Sequence, residues 1–225
     1  MSEADSAERD ELVYSRIADR VGVLGPGTRA VVWVHGCPLR CAGCIAPQDL
    51  PFEGGVQRSV RSVADYLNAL PPDVEGVTFS GGEPMAQAGA LAALIDRLRV
   101  GRDWSSMAYS GYTLRHLRRH GTADQHALLD RLDILVDGPY VRARHADLLW
   151  RGSANQRVHL LSDRHPRLPA DRSAGIEVEV DPGSGELALA GVPPFPGFLE
   201  AFETAVAERG VRLTERGLPD AQRPR

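Results

Sequence analysis

Cys37, Cys41 and Cys44 are the only cysteines in the 225-residue chain, and they fall within eight consecutive positions. Thiolates are strong metal ligands, and an odd, tightly spaced set argues for a metal site rather than a disulfide framework. The spacing C-x-x-x-C-x-x-C admits two chemistries. One is a structural zinc site with His35 as fourth ligand. The other is a [4Fe–4S] cluster held by three thiolates, with one iron left open to an exogenous chelating ligand. His35 at a strand end is more simply read as a hydrogen-bonded side chain than as a ligand.

A second segment bears on the choice. Ser80-Gly-Gly-Glu-Pro84 has the composition of a tight strand-to-helix turn, which Gly81 and Gly82 favour for backbone reasons alone. Beside a metal loop the same residues read differently. Gly81 and Gly82 let a ligand approach the main chain, and Glu83 offers a carboxylate to a cationic amino group. Arg40, Arg151 and Arg157 are forks that match carboxylates. All 26 basic residues are arginine, which excludes lysine Schiff-base chemistry.

These residues need elements to position them. Leu12–Leu24, a Gly25-Pro26-Gly27 turn and a strand from Arg29 to His35 read as a hairpin leading into the cysteine loop, Gly36–Gly55. Ser59 caps an amphipathic helix that Pro71-Pro72 ends. A strand at Gly76–Ser80 precedes the glycine turn, and Leu91, Leu94, Ile95 and Leu98 mark the next helix. Ser106–Tyr109 is a strand ending in Ser110-Gly111-Tyr112. Thr113 caps a helix closed by Gly121, helix continues over Ala123–Arg131, and Asp133–Val136 is a strand ending in Asp137-Gly138-Pro139. Alternating strands and helices predict an α/β fold with a parallel sheet, whose ligand sites lie at the carboxyl ends of the strands. The cysteine loop, Gly81–Pro84, Ser110–Tyr112 and Asp137–Pro139 all fall on that one rim. Val158–Leu161 reads as a further strand. Past a linker at about 162–174, Ile176–Val180 and Glu186–Ala190 alternate as a hairpin, and Phe198–Arg209 reads as a closing helix.

The order of these segments resembles the radical S-adenosylmethionine (SAM) superfamily. Trp33–Cys44, Phe52-Glu-Gly-Gly55, Ser80–Pro84, Tyr109-Ser-Gly-Tyr-Thr113, Leu135-Val-Asp-Gly138 and Trp150–Arg157 resemble the activating enzymes of anaerobic ribonucleotide reductase. The resemblance covers about residues 21–160. It implies an incomplete TIM-like barrel of the radical SAM type, carrying here a C-terminal β-hairpin and helix extension. It implies a [4Fe–4S] cluster on Cys37, Cys41 and Cys44, and SAM held by Gly81, Gly82, Glu83, Ser110 and Asp137. It further implies cleavage of SAM to a 5′-deoxyadenosyl radical that activates a glycyl radical enzyme, with a flavodoxin- or ferredoxin-type electron donor. Ala46 stands where such activases usually have Asn, Pro139 where they often have Lys or a polar residue, and the chain extends past their usual end.

Composition sets the outer bounds. With 43% hydrophobic and 25% charged residues the chain reads as globular, divided into a tail at 1–11, a core at 12–161 and an extension at 162–225. A net charge of −4 gives no electrostatic case for nucleic acid or a membrane surface. No signal-peptide pattern or membrane-length apolar run is read, so a cytoplasmic location is expected. Two other functions remain open at this point: radical modification of a peptide or metabolite, and a zinc-stabilised binding module.

Overall fold

The computed structural model describes residues 10–168, 175–180 and 187–209. Residues 1–9 of the tail expected at 1–11, residues 169–174 of the linker expected at about 162–174, the hairpin turn at 181–186 and the chain beyond 209 lie outside the described residues, and Glu11 already belongs to a strand.

Strands β1 (Glu11–Val21) and β2 (Arg29–Val34) form the expected antiparallel pair. A short strand β3 (Val56–Ser59) pairs with the other edge of β1. Strands β4 (Gly76–Gly81), β5 (Ser105–Ser110) and β6 (Ile134–Asp137) then add to β2 in parallel, in that order. A small hairpin of β7 (His145–Leu148) and β8 (Arg151–Ser153) follows, and β9 (Arg157–Leu160) returns antiparallel to β6. The seven-stranded sheet therefore runs β3-β1-β2-β4-β5-β6-β9, parallel at its centre and antiparallel at both flanks. The flanks differ from a purely parallel expectation because no helical crossover leads into them: β1 joins β2 through a short turn, which only an antiparallel neighbour permits, while the cysteine loop leads to β3 and the β7–β8 hairpin to β9. Strand β3 carries too few apolar residues for periodicity to mark it.

Helices α1 (Val60–Asn68), α2 (Ala88–Gly101), α3 (Leu114–His120) and α4 (Ala123–Leu129) pack on one face of the sheet. Side chains alternate along a strand, so Ala30, Val32, Val34, Val77, Phe79, Ala108 and Leu135 meet the helices in one cluster. Val31 and Trp33 point the other way, as do Met107, Ile134 and Val136. Residues buried on both faces make β2 a continuous apolar run, as expected of a central parallel strand. Leu91, Leu94, Ile95 and Leu98 on α2 are fully buried, each worth roughly 1.5–3 kcal/mol.

The helix starts are set locally. The hydroxyls of Ser59 and Thr113 accept from the amides of Ser62 (3.1 Å) and His116 (3.2 Å). Thr122 and Gln125 form a reciprocal capping box, so α4 begins afresh instead of continuing α3. Beyond the sheet, β10 (Ile176–Val180) and β11 (Leu187–Gly191) pair antiparallel as expected, and α5 (Phe198–Ala207) follows. Among the described residues no helix is long and apolar enough to cross a membrane.

Candidate active site

The cysteine loop is stitched to the glycine turn by main-chain bonds. The Gly82 amide donates to the Val34 carbonyl (2.7 Å) and the Glu83 amide to the Gly36 carbonyl (2.9 Å). Gly36 and Cys37 in turn donate to the carbonyls of Asp49 (2.9 Å) and Leu50 (3.0 Å), closing the loop on itself. This close approach requires glycine. Gly81 has φ +91°, and a Cβ there would lie 2.5 Å from the Val34 carbonyl oxygen; one at Gly82 would overlap that of Gly36. The glycine pair thus makes room first for the chain's own backbone.

Glu83 is 1% exposed. The sequence reading expects its carboxylate to face a cationic amino group; the structure has it accepting three internal hydrogen bonds. Donors are the Met85 amide (2.9 Å), the Ser110 hydroxyl (2.9 Å) and the Gly111 amide (2.8 Å). Glu83 therefore clamps the end of β4 to the end of β5. Burial pushes its carboxyl up to about 7 against the pull of these three donors. The Ser110 hydroxyl also accepts from the Tyr112 amide (3.1 Å), which shapes the turn.

Asp137 has a similar role at the end of the neighbouring strand, β6. Buried to 4% exposure, it accepts from the Leu114 amide at the start of α3 (2.6 Å). His159 Nε2 lies 3.1 Å from the same carboxylate oxygen but lacks the alignment of a hydrogen bond. The Gly138 turn after it is held by the Gln156 side chain, which donates to the Gly138 carbonyl (3.0 Å) and accepts from the amides of Gly152 and Ser153. Asn155 donates to the Pro139 carbonyl (2.8 Å).

All three cysteines are free; Cys37 is buried, while Cys41 and Cys44 are partly exposed. The Ala46 amide donates to the Cys44 sulfur (3.4 Å), and the Tyr140 amide reaches Cys41, so the Asp137–Tyr140 turn touches the cysteine loop. Burial raises the Cys41 and Cys44 thiols; backbone donors pull them down, and mutual repulsion with Cys37 pushes them up again. Thiols whose ionisation is opposed by neighbouring sulfurs, as at Cys41 and Cys44, are donors that a cationic metal core relieves. Among the described residues no three His, Cys, Asp or Glu side chains are grouped to hold a single ion. A four-iron cluster makes a different demand, since each thiolate takes its own iron. The donor set fits such a cluster.

His35 Nε2 pairs with the Glu53 carbonyl at 3.0 Å, in keeping with the hydrogen-bonded reading. Arg40 has φ 45° at an exposed position in the loop, and Trp150 has φ 56° in the β7–β8 turn. The Arg151 guanidinium donates to the Leu149 carbonyl. Two contributors carry no motif in sequence. Gln87 accepts from the Val13 amide (2.8 Å) and donates to the carbonyls of Val13 (2.7 Å) and His35 (3.0 Å), fixing the loop's entry. Asp49 in the cysteine loop is 1% exposed and neither carboxylate oxygen has a hydrogen bond. The Ser15 hydroxyl lies near it but donates to the Trp33 carbonyl (3.2 Å). Burial raises the Asp49 carboxyl, while Ser15, Arg16 and His35 lower it.

A loop of three free thiols, joined by backbone bonds to the turns after β4 and β6, marks this rim as a candidate iron–sulfur site on an α/β sheet. Residues 23–159 match the family described as a 4Fe–4S single cluster domain. The anaerobic ribonucleoside-triphosphate reductase-activating protein of Vibrio cholerae is 36% identical over 146 residues, covering 61% of this chain and 90% of that protein. Its counterpart from Escherichia coli K12 is 33% identical over 150 residues, 62% and 92% of the two chains. The pyruvate formate-lyase-activating enzyme of Listeria monocytogenes is 39% identical over 71 residues, 30% of this chain and 29% of that one. The chain belongs to the radical SAM activating-enzyme family, within the 4Fe–4S single cluster domains. It is an enzyme of the activase class, and the cofactors of that class are an iron–sulfur cluster and SAM.

Proposed function

We propose that Cys37, Cys41 and Cys44 hold a [4Fe–4S] cluster whose fourth iron binds SAM, and that the enzyme activates a glycyl radical enzyme of the anaerobic ribonucleotide reductase type. The observation that carries this reading is the junction of the cysteine loop with the glycine turn, Glu83 amide to Gly36 carbonyl at 2.9 Å. It sets the only thiols of the chain beside Gly81–Glu83, in a family that uses both. When bound, the reduced cluster supplies one electron that cleaves SAM to methionine and a 5′-deoxyadenosyl radical, which takes hydrogen from a glycine of the partner.

The chain's own residues position and shield. The side chains of Glu83, Ser110 and Asp137 are engaged within the protein, so they act by fixing the main chain that SAM meets. Gly81, Gly82 and Glu83 present backbone to its amino end, and the turns after Ser110 and Asp137 present backbone further along the rim. Such preset dipoles need no reorganisation at the moment of reaction. Residues 12–161 form the catalytic core and 162–225 an extension, and strands β2, β4, β5 and β6 form the parallel portion of an incomplete barrel. The electron donor is a flavodoxin or ferredoxin, and the setting is the cytoplasm.

The test is anaerobic reconstitution of the full chain, followed by iron and sulfide analysis and assay of 5′-deoxyadenosine. The expected result is about four irons and four sulfides per chain, with SAM cleaved on reduction. A colourless protein holding one zinc per chain would refute the reading.

A further inference from the structure

Helices α1–α4 fill one face of the sheet, so a molecule anchored at the rim can extend over the opposite face only. The β10–β11 hairpin lies on that face. Val192, just past β11, is 5% exposed and packs with Ala18, Val21, Leu24, Val31 and Trp33, and Ala190 and Tyr109 border the same cluster.

Two polar contacts fasten the hairpin. The Arg16 guanidinium on β1 stacks 3.6 Å over the Trp33 ring and donates through Nη2 to the Leu189 carbonyl on β11 (2.6 Å). The carboxylates of Asp49, in the cysteine loop, and of Glu179, on β10, both attract it. At the far end of β1, the Gly22 amide donates to both carboxylate oxygens of Glu177, at 2.9 and 3.1 Å. A guanidinium held over an indole face is restricted in how it can reach a carbonyl. Arg16 thus ties the hairpin to the strand that pairs with β2, ahead of the cysteine loop. The hairpin lies outside the family match, which ends at 159. In the Vibrio relative the matched stretch accounts for 90% of the length, which leaves it no stretch the size of residues 162–225.

We propose that the β10–β11 hairpin is a side wall of the cofactor chamber, latched by Arg16 and Glu177, which restricts what reaches the radical to a narrow segment of the partner. This rests on the radical reading above. Arg16 is a positioning residue: it holds the wall and touches no reacting atom. An open side would admit solvent and small hydrogen donors that quench the radical unproductively, so a latched wall couples SAM cleavage to partner activation.

The experiment compares the cluster-loaded full-length enzyme with Arg16→Ala, measuring amide hydrogen exchange over 187–191, iron content, and 5′-deoxyadenosine formed with and without the glycyl radical partner. Exchange should quicken by at least about tenfold, since a hydrogen bond from a charged donor holds local opening by that order. Iron content should stay at the wild-type level, and SAM cleavage without partner should rise in step with the exchange rate. Unchanged exchange would show that Arg16 is no latch. Faster exchange with an unaltered ratio of coupled to uncoupled cleavage would show that the hairpin is no wall. If Arg16→Ala does not fold, Arg16→Lys and Glu177→Gln are read by the same two measurements, with the Gly22 amide as reporter for the latter. A wild-type enzyme that binds the cluster but never cleaves SAM would instead sink the radical reading, and the wall with it.

Discussion

The two ends of the parallel strands contrast in how their polar groups are used. At the amino end, Arg29 is fully buried and its guanidinium is engaged on every side. It donates to Thr78 Oγ1, the Pro26 carbonyl, Ser105 Oγ, and the carbonyls of Val77 and Ser105. A cavity of about 640 Å³ opens there, lined by Arg29, Glu75, Arg102, Trp104, Arg164 and His165 among others. Its cations are already spoken for: Arg102 donates to the carbonyls of Leu70, Pro71 and Val74, and Arg164 pairs with Asp103. At the carboxyl end Glu83 and Asp137 accept from backbone amides, yet buried Asp49 has no hydrogen bond, and the Cys41 and Cys44 thiols are pushed up by burial and by the charge of their neighbours. The cavity and the thiol chemistry therefore lie at opposite ends, and the chemistry is the better guide. A void whose arginines are already engaged has little to offer an anion, whereas free thiols can take a metal.

The contrast can be broken from either side. Replacing any one of Cys37, Cys41 or Cys44 by alanine should abolish SAM cleavage and sharply lower the iron bound per chain; full turnover in a single variant would remove that thiol from the ligand set. At the other end, Arg29→Met should cost about 3–5 kcal/mol of stability by stripping the partner from several buried oxygens, read by urea unfolding. Iron bound per folded molecule should be unchanged, and loss of the cluster without loss of stability would mean the amino end takes part in the chemistry.

Glu83 supplies a subtler test, because its burial is a pH-dependent cost. Its folded value of about 7 lies above the ordinary 4.5, so the native state holds the proton more tightly than the unfolded chain. The contribution to stability is full below pH 4.5 and is lost as pH rises through 7. That displacement corresponds to roughly 3 kcal/mol. Unfolding midpoints of the apoprotein at pH 5 and pH 8 should therefore fall further apart in the wild type than in Glu83→Gln, and equal spacing would place the Glu83 carboxyl in contact with water. The smallest effect is expected from Asn155→Ala, which removes one prop from the Pro139 carbonyl at a cost of about 1 kcal/mol. It should raise the KM for SAM with iron content intact; a loss of iron would show that the turn supports the cluster loop instead.

Much of this was legible from residues alone. The β1–β2 hairpin, the strands before Gly81, Ser110 and Asp137, and the caps at Ser59 and Thr113 all follow from short-range rules of alternation, glycine placement and capping. Strand β3 and the antiparallel return of β9 were not, because pairing partners distant in sequence leave no local trace. Gln87 and Asp49 were invisible for the same reason: a lone glutamine or aspartate acquires a role only when folding sets it against Val13 and His35, or beside Arg16.

By itself the sequence determined that the cysteines form one loop at a strand end, and that glycine, serine and aspartate turns follow at successive strand ends. These are consequences of spacing, which covalent order carries. Only the tertiary structure decided what the turn side chains do. Glu83, whose carboxylate reads in sequence as open to a ligand, is spent on Met85, Ser110 and Gly111, and Gly81 and Gly82 are filled by the backbone of Val34 and Gly36. A buried carboxylate must find donors wherever the fold provides them, and two of its three donors came from the next strand end.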